Sequence, residues 1–146
     1  MIDYEDVFNM SYWRATHAVK EGIGFFDSFY DRFLNSSHDV EEKFKSTNMK
    51  TQKQMLKESL LNMSSFFVTK VADDYLQKIS RIHSKSDRGI EPYLYDLWLE
   101  CLIKTVRDYD PEFQRDVELA WRLVMTPGIV YMKFQYDREK SNNGRV

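Results

Sequence analysis

Apolar residues recur along this chain at a period close to 3.6, and no stretch alternates convincingly as a strand would. Val7, Phe8, Tyr12 and Ala15 form the inner stripe of a first helix predicted from about Tyr4 to Val19. After Gly22 and Gly24 comes a wide aromatic stripe of Phe26, Phe29, Tyr30, Phe33 and Leu34, which predicts a second helix. Turn formers stop it at Asn35 to His38, and a short helical turn follows from Val40 to Phe44. The longest pattern runs from about Lys50 to Lys70, with Met55, Leu56, Ser59, Leu60, Met63, Phe66 and Phe67 inward. Asp73 or Asp74 is placed to cap a short helix whose apolar face is Leu76, Ile79 and His83. Pro92 sits at or near the first turn of a helix ending near Tyr109, with Tyr95, Trp98, Leu99, Leu102, Ile103 and Val106 as its stripe. Asp110-Pro111 is expected to start the last helix, which carries Phe113, Val117, Trp121 and Val124 and reaches Tyr131 and Phe134. Pro127-Gly128 is expected to kink or briefly break it. The fold class is all-α, with seven or eight helices in one domain over residues 1–138 and a polar tail over 139–146.

Composition narrows the function classes. At 146 residues, 42% hydrophobic and 30% charged, the chain can bury one substantial core. A net charge of -2 with both signs interspersed leaves no electrostatic footprint for nucleic acid or an anionic membrane. No apolar run approaches the roughly 18 residues that a membrane span needs. The acidic start, Met1 to Val7, lacks the features of a signal peptide, so a cytoplasmic location is expected, with the single Cys101 as a buried, reduced thiol.

Three histidines are present. His17 ends the first helix, where a cation suits the dipole, and His38 lies in a solvated turn. His83 is different, because it lies on the apolar face of its helix and points an imidazole into an aromatic-rich interior. Either a backbone or hydroxyl partner satisfies that ring, or it ligates a metal. Nothing in the chain spells a phosphate loop, a nucleophilic triad, a zinc pair or a cysteine cluster.

Several strings, in their order, resemble bacterial globins of the single-domain and sensor type. They are Phe29-Tyr30-Asp-Arg-Phe-Leu, Val40-Glu-Glu-Lys-Phe44, Gln52-Lys-Gln-Met-Leu, Ile79-Ser-Arg-Ile-His83-Ser, Tyr95-Asp-Leu-Trp-Leu-Glu-Cys-Leu-Ile and Val117-Glu-Leu-Ala-Trp121. The resemblance implies a globin-like packing and haem b as cofactor. It makes His83 the proximal iron ligand, with its second ring nitrogen donating to a group one turn back such as Ile79 or Ser80. Phe44 matches the phenylalanine that wedges the haem. Tyr30 matches a tyrosine directed at bound O2, where a phenolic hydrogen bond favours O2 over CO and slows its loss.

The distal position on the long helix falls on Gln54 or Met55, with Gln52 as a third alternative. Helix phase favours Met55, which shares a face with Ser59 and Met63. Tyr95 matches a tyrosine beneath the haem that relatives tie to a carboxylate, for which Glu118 is a candidate beside a plain core role for Tyr95. Lys85, Arg88 and Lys53 are candidate cations for the haem propionates. The function implied is reversible binding of a diatomic gas (O2, NO or CO), for carriage or sensing, with a signalling partner open. Sensor-like relatives pair through their last two helices, which suggests a homodimer through the Cys101 and Trp121 helices. Two alternatives stand beside it. One is haem redox chemistry such as NO dioxygenation, nitrite reduction or a peroxidase-like reaction, fed by an external reductase. The other is a non-covalent haem or bilin protein, since Cys101 lacks the setting for a thioether-linked bilin.

Overall fold

Local side-chain caps decide where several of the helices begin. The computed structural model describes residues 1–138, so the expected polar tail over 139–146 lies outside the described residues. Asp3 Oδ1 accepts from the main-chain N–H of Glu5 at 3.0 Å and starts α1 (Tyr4–His17). Ser37 Oγ does the same for Asp39 at 3.1 Å, at the head of α3 (His38–Lys43). Asn48 Oδ1 takes Lys50 N and Thr51 N to open α4 (Met49–Thr69). Asp73 Oδ1 takes Leu76 N at 2.9 Å to open α5 (Asp74–His83). With α2 (Phe25–Leu34), α6 (Tyr93–Tyr109) and α7 (Arg115–Gln135) this makes seven helices among the described residues, within the expected number.

Three boundaries differ from the expectation. α1 stops at His17 rather than near Val19, because the chain then forms a hairpin that the apolar pattern did not reveal. β1 (Val19–Lys20) pairs antiparallel with β2 (Ile23–Gly24). The two residues between them, Glu21 and Gly22, have φ of 54° and 79°. Two successive positive φ values give the turn whose twist matches a two-residue hairpin, and glycine meets that demand at the second position. Two-residue strands are too short to show a period.

The second difference concerns Asp110, expected to start the last helix. It faces inward, where Ser11 Oγ donates to its Oδ2 at 2.6 Å and Arg14 Nε and Nη2 donate at 2.7 and 2.9 Å. Its Oδ1 also accepts from Glu112 N at 2.9 Å, so the chain turns once more and α7 starts at Arg115. Ser11 Oγ in turn accepts from Trp121 Nε1 at 2.8 Å. Trp121 is fully buried, with Phe8 edge-on at 4.7 Å between ring centres. This network joins α1, α7 and the α6–α7 link in the half of the core away from the cavity described below.

Thirdly, α7 continues through Pro127 without the brief break that is one of the two outcomes expected there. The ring removes one main-chain donor, yet packing holds the helix on either side. The neighbouring Gly128 has a packing reason. A Cβ there would lie 2.9 Å from Met63 Cε and 3.0 Å from Met63 Cγ, so the glycine lets α7 approach α4 closely. Among the described residues, no helix is long and apolar enough to cross a membrane.

Candidate functional site

A cavity of about 740 Å³ opens between α2, α3, α4, α5, α6 and α7. Its walls are largely apolar, with Phe33, Leu56, Leu76, Leu94, Ile129 and Met132 among them. A few polar side chains converge on it, the pattern of a ligand site rather than of a packing fault.

His83 lines this cavity from the last turn of α5. Its Nδ1 lies 3.1 Å from Tyr95 Oη, on α6. The partner expected one turn back is therefore corrected: Ser80 Oγ donates to the Gln77 carbonyl at 2.8 Å, and a phenol from another helix takes its place beside the imidazole. Burial, with a smaller effect from the Arg88 charge, lowers the His83 pKa to about 4, Asp87 opposing. The ring is thus neutral at physiological pH and carries one lone pair. Tyr95 is held protonated, raised first by burial and then by Tyr136.

Tyr30 lines the cavity from α2 and is nearly fully buried. Gln52 Nε2 donates to Tyr30 Oη at 3.2 Å. Burial pushes this phenol up to about 12, Tyr75 adding to the effect and the Gln52 hydrogen bond opposing it. Phe44 closes α3 and sits edge-on to Tyr30 and Phe33, with ring centres 5.9 and 6.1 Å away.

Of the sequence-predicted residues, the cavity brings together Tyr30, Phe44, Met55, Ser59, His83, Arg88 and Tyr95. Gln54 is corrected: it is exposed and off the cavity wall, while Gln52, Met55, Leu56 and Ser59 line it at helical spacing. Gln52 falls one turn before Met55 on the same stripe, so the phase argument that picked Met55 points equally to Gln52. Lys85 is also corrected: its side chain is exposed and does not line the cavity, because the chain bends at Ser84. Lys53 pairs with Asp27 instead of the cavity, and Lys43 lines it, with Nζ donating to the carbonyls of Arg88 and Gly89 at 3.1 and 3.2 Å. Glu118 is engaged by Arg122 at 3.0 Å and does not reach Tyr95. Tyr75 went unnoticed in the sequence; it lines the cavity one turn before Ile79, with Oη 3.1 Å from Ser59 Oγ.

His17 stacks on Trp13 at the surface and shares the Trp13 carbonyl at 2.8 Å, and His38 is exposed at the head of α3. Cys101 is buried but lies off the cavity.

The family model for globins matches residues 27–131, from α2 through most of α7. The chain is a globin. It is similar to a solved structure from Pseudomonas aeruginosa PAO1, protein PA3967, described as structurally highly homologous to a human hemoglobin. The two chains are 34% identical, with a TM-score of 0.85, over 92% of this chain and 98% of that one. No curated protein matches this chain. In this globin the matched segment contains every cavity-lining side chain named above except Met132.

Proposed function

We propose that this globin binds haem b in the α2–α7 cavity with His83 as the axial ligand, and that it reversibly binds a diatomic gas. The observation that carries the reading is the placement of one neutral imidazole and one protonated phenol, His83 and Tyr30, on walls of the same cavity. The donor set fits the group: with the proton on Nδ1 shared with Tyr95 Oη, Nε2 keeps its lone pair for a metal. Haem, when bound, supplies an iron centre with a free position for O2, NO or CO. The apolar walls exclude water, and Phe44 would wedge the ring system where α3 ends. Arg88 and Lys43 line the cavity, and their cations would meet the haem carboxylates.

Tyr30 does the work on the gas side. Gln52 already donates to its oxygen, so the phenol keeps its own proton to donate to a ligand in the cavity. A visible spectrum of the purified protein, with and without dithionite and CO, tests the reading. The expected result is a Soret band that shifts on reduction and again with CO, and that is lost in His83→Ala. A His83→Ala variant with undiminished haem stoichiometry would remove His83 from the role.

The proposal extends to a cytoplasmic homodimer through α6 and α7. Cys101 and Trp121 are buried inside the chain and make no such contact themselves. What supports pairing is the outer face of α7, where Leu119, Leu123, Val130 and Phe134 are 42, 39, 57 and 54% exposed. From Arg115 to Gln135, the exposed positions of that helix are these four, Arg115 and Thr126. Four large apolar side chains spaced by four, seven and four residues on one helix face suit a helix-on-helix contact.

A further inference from the structure

The loop that follows His83 is tied to the end of α7 through the main chain. Lys85 N donates to the Tyr136 carbonyl at 2.7 Å. Among the described residues, the other main-chain hydrogen bonds outside helices and the hairpin join residues at most seven apart in the chain. Helices satisfy their main-chain groups internally, so two helices share such a bond only where their ends meet. Tyr136 caps the C-terminus of α7, and its carbonyl is one of those left over by the helix. Lys85 stands two residues beyond His83.

The loop between them is itself stiff. Ile90 N donates to the His83 carbonyl at 3.0 Å, Arg88 N to the Ile82 carbonyl at 3.0 Å and Gly89 N to the Ser84 carbonyl at 2.8 Å. The last turn of α5 is therefore held by its own loop, and the loop by α7. On the other side of the imidazole stands Tyr95 Oη, 3.1 Å from Nδ1. Tyr136 is half-buried and acts electrostatically on Tyr95. The end of α7 thus reaches the support of the His83 ring through the main chain.

We propose that Tyr136 is a positioning residue for His83, its carbonyl holding the main chain two residues past the imidazole and so setting how the ring faces the cavity. The proposal rests on the haem reading for the purpose of that ring; the link between α5 and α7 stands without it.

The test is arranged so that the two can fail separately. In the full chain without haem, amide hydrogen exchange is followed at Lys85, and the His83 ring is followed by long-range ¹⁵N–¹H spectra. The Lys85 amide is expected to be protected, and an exchange rate like that of an open loop overturns the proposal. Lys85→Pro removes the donor while Ser84, at φ -66° and ψ 163°, already has the backbone that a following proline requires. Lys85→Ala keeps the donor. Shifted His83 ring signals in Lys85→Pro, with Lys85→Ala unchanged, support the proposal, and identical ring signals in both overturn it.

Should Lys85→Pro lose its helical circular dichroism, Tyr136→Gly takes its place. It loosens the end of α7 that presents the carbonyl, so Lys85 exchange is expected to quicken and the His83 ring signals to shift. Unmoved ring signals in that variant would end the idea. With haem added, Lys85→Pro is expected to release it about fivefold faster than Lys85→Ala, the scale of one hydrogen bond. Should the unmodified chain bind no haem at all, the functional proposal fails while the exchange and ring measurements still judge the link.

Discussion

Gln52 Nε2 donates to Tyr30 Oη at 3.2 Å, and that direction of donation decides what the phenol can do. An oxygen that already accepts retains its own O–H for a third group. The pair spans α2 and α4, so two helices cooperate to aim one proton at the cavity. Tyr30→Phe removes that donor with almost no change of volume. In the haem-loaded protein, O2 dissociation measured by stopped flow is expected to accelerate about tenfold or more, roughly 1.4 kcal/mol. Gln52→Leu should accelerate it less, because the phenol remains but loses its guide. An off-rate equal to that of the unmodified chain in Tyr30→Phe would mean that the proton points elsewhere.

Acid should weaken the fold through Asp110. Burial alone would raise its pKa, but hydrogen bonds from Arg14, Ser11 and the Glu112 amide hold it below the ordinary value. A carboxylate whose folded pKa is depressed contributes stability in full above its unfolded pKa of about 3.9 and loses it as pH falls through the folded value. Urea unfolding of the unmodified chain at a series of pH values is expected to show that loss below about pH 4. In Asp110→Asn the slope in the same window should flatten. Asp110→Ala at neutral pH, which strands Arg14 and Ser11, should cost on the order of 3 kcal/mol.

Gly128 tests how closely α7 must lie on α4. A methyl group there would stand 2.9 and 3.0 Å from Met63 Cε and Cγ. Alanine is the better helix former by about 1 kcal/mol, but overpacking costs about 1–3 kcal/mol. Gly128→Ala is expected to be less stable than the parent by about 1 kcal/mol in thermal unfolding. Adding Met63→Ala should cost less in that background than alone, since the two side chains then no longer collide. Equal costs in both backgrounds would show that the helices simply shift apart.

The outer stripe of α7 makes a prediction about assembly. If Leu119, Leu123, Val130 and Phe134 are covered by a second copy, sedimentation at increasing protein concentration should show a dimer. Leu123→Lys should then give a monomer of unchanged helicity. A monomer across the whole concentration range for the unmodified chain sinks the dimer.

Much of this globin can be read from short stretches of sequence. The 3.6-residue stripes mark the helices, and Asp3, Asn48 and Asp73 each stand one residue before a helix they cap. His83 stands out because a single imidazole falls on an apolar face, and Tyr30 because it lies on an aromatic stripe that turns inward, whereas Phe44 is singled out only by the likeness of Val40-Glu-Glu-Lys-Phe44 to bacterial globins. These are local properties, determined by residues within a turn or two.

What the tertiary structure decided is which of those side chains meet. The choice of Gln52 over Gln54 depended on where the loop after Phe44 delivers α4, and a shift of two residues turns a helix position through more than half a circle. Tyr95, not Ser80, supports His83, and Asp110 turns inward to Arg14 instead of opening α7. Each of those outcomes is a contact between residues 12 or more apart in the chain. A helical period records which face of a helix is buried but not what lies against it. The partner is set by how the helices cross and by the loops that place them, which only the assembled chain contains.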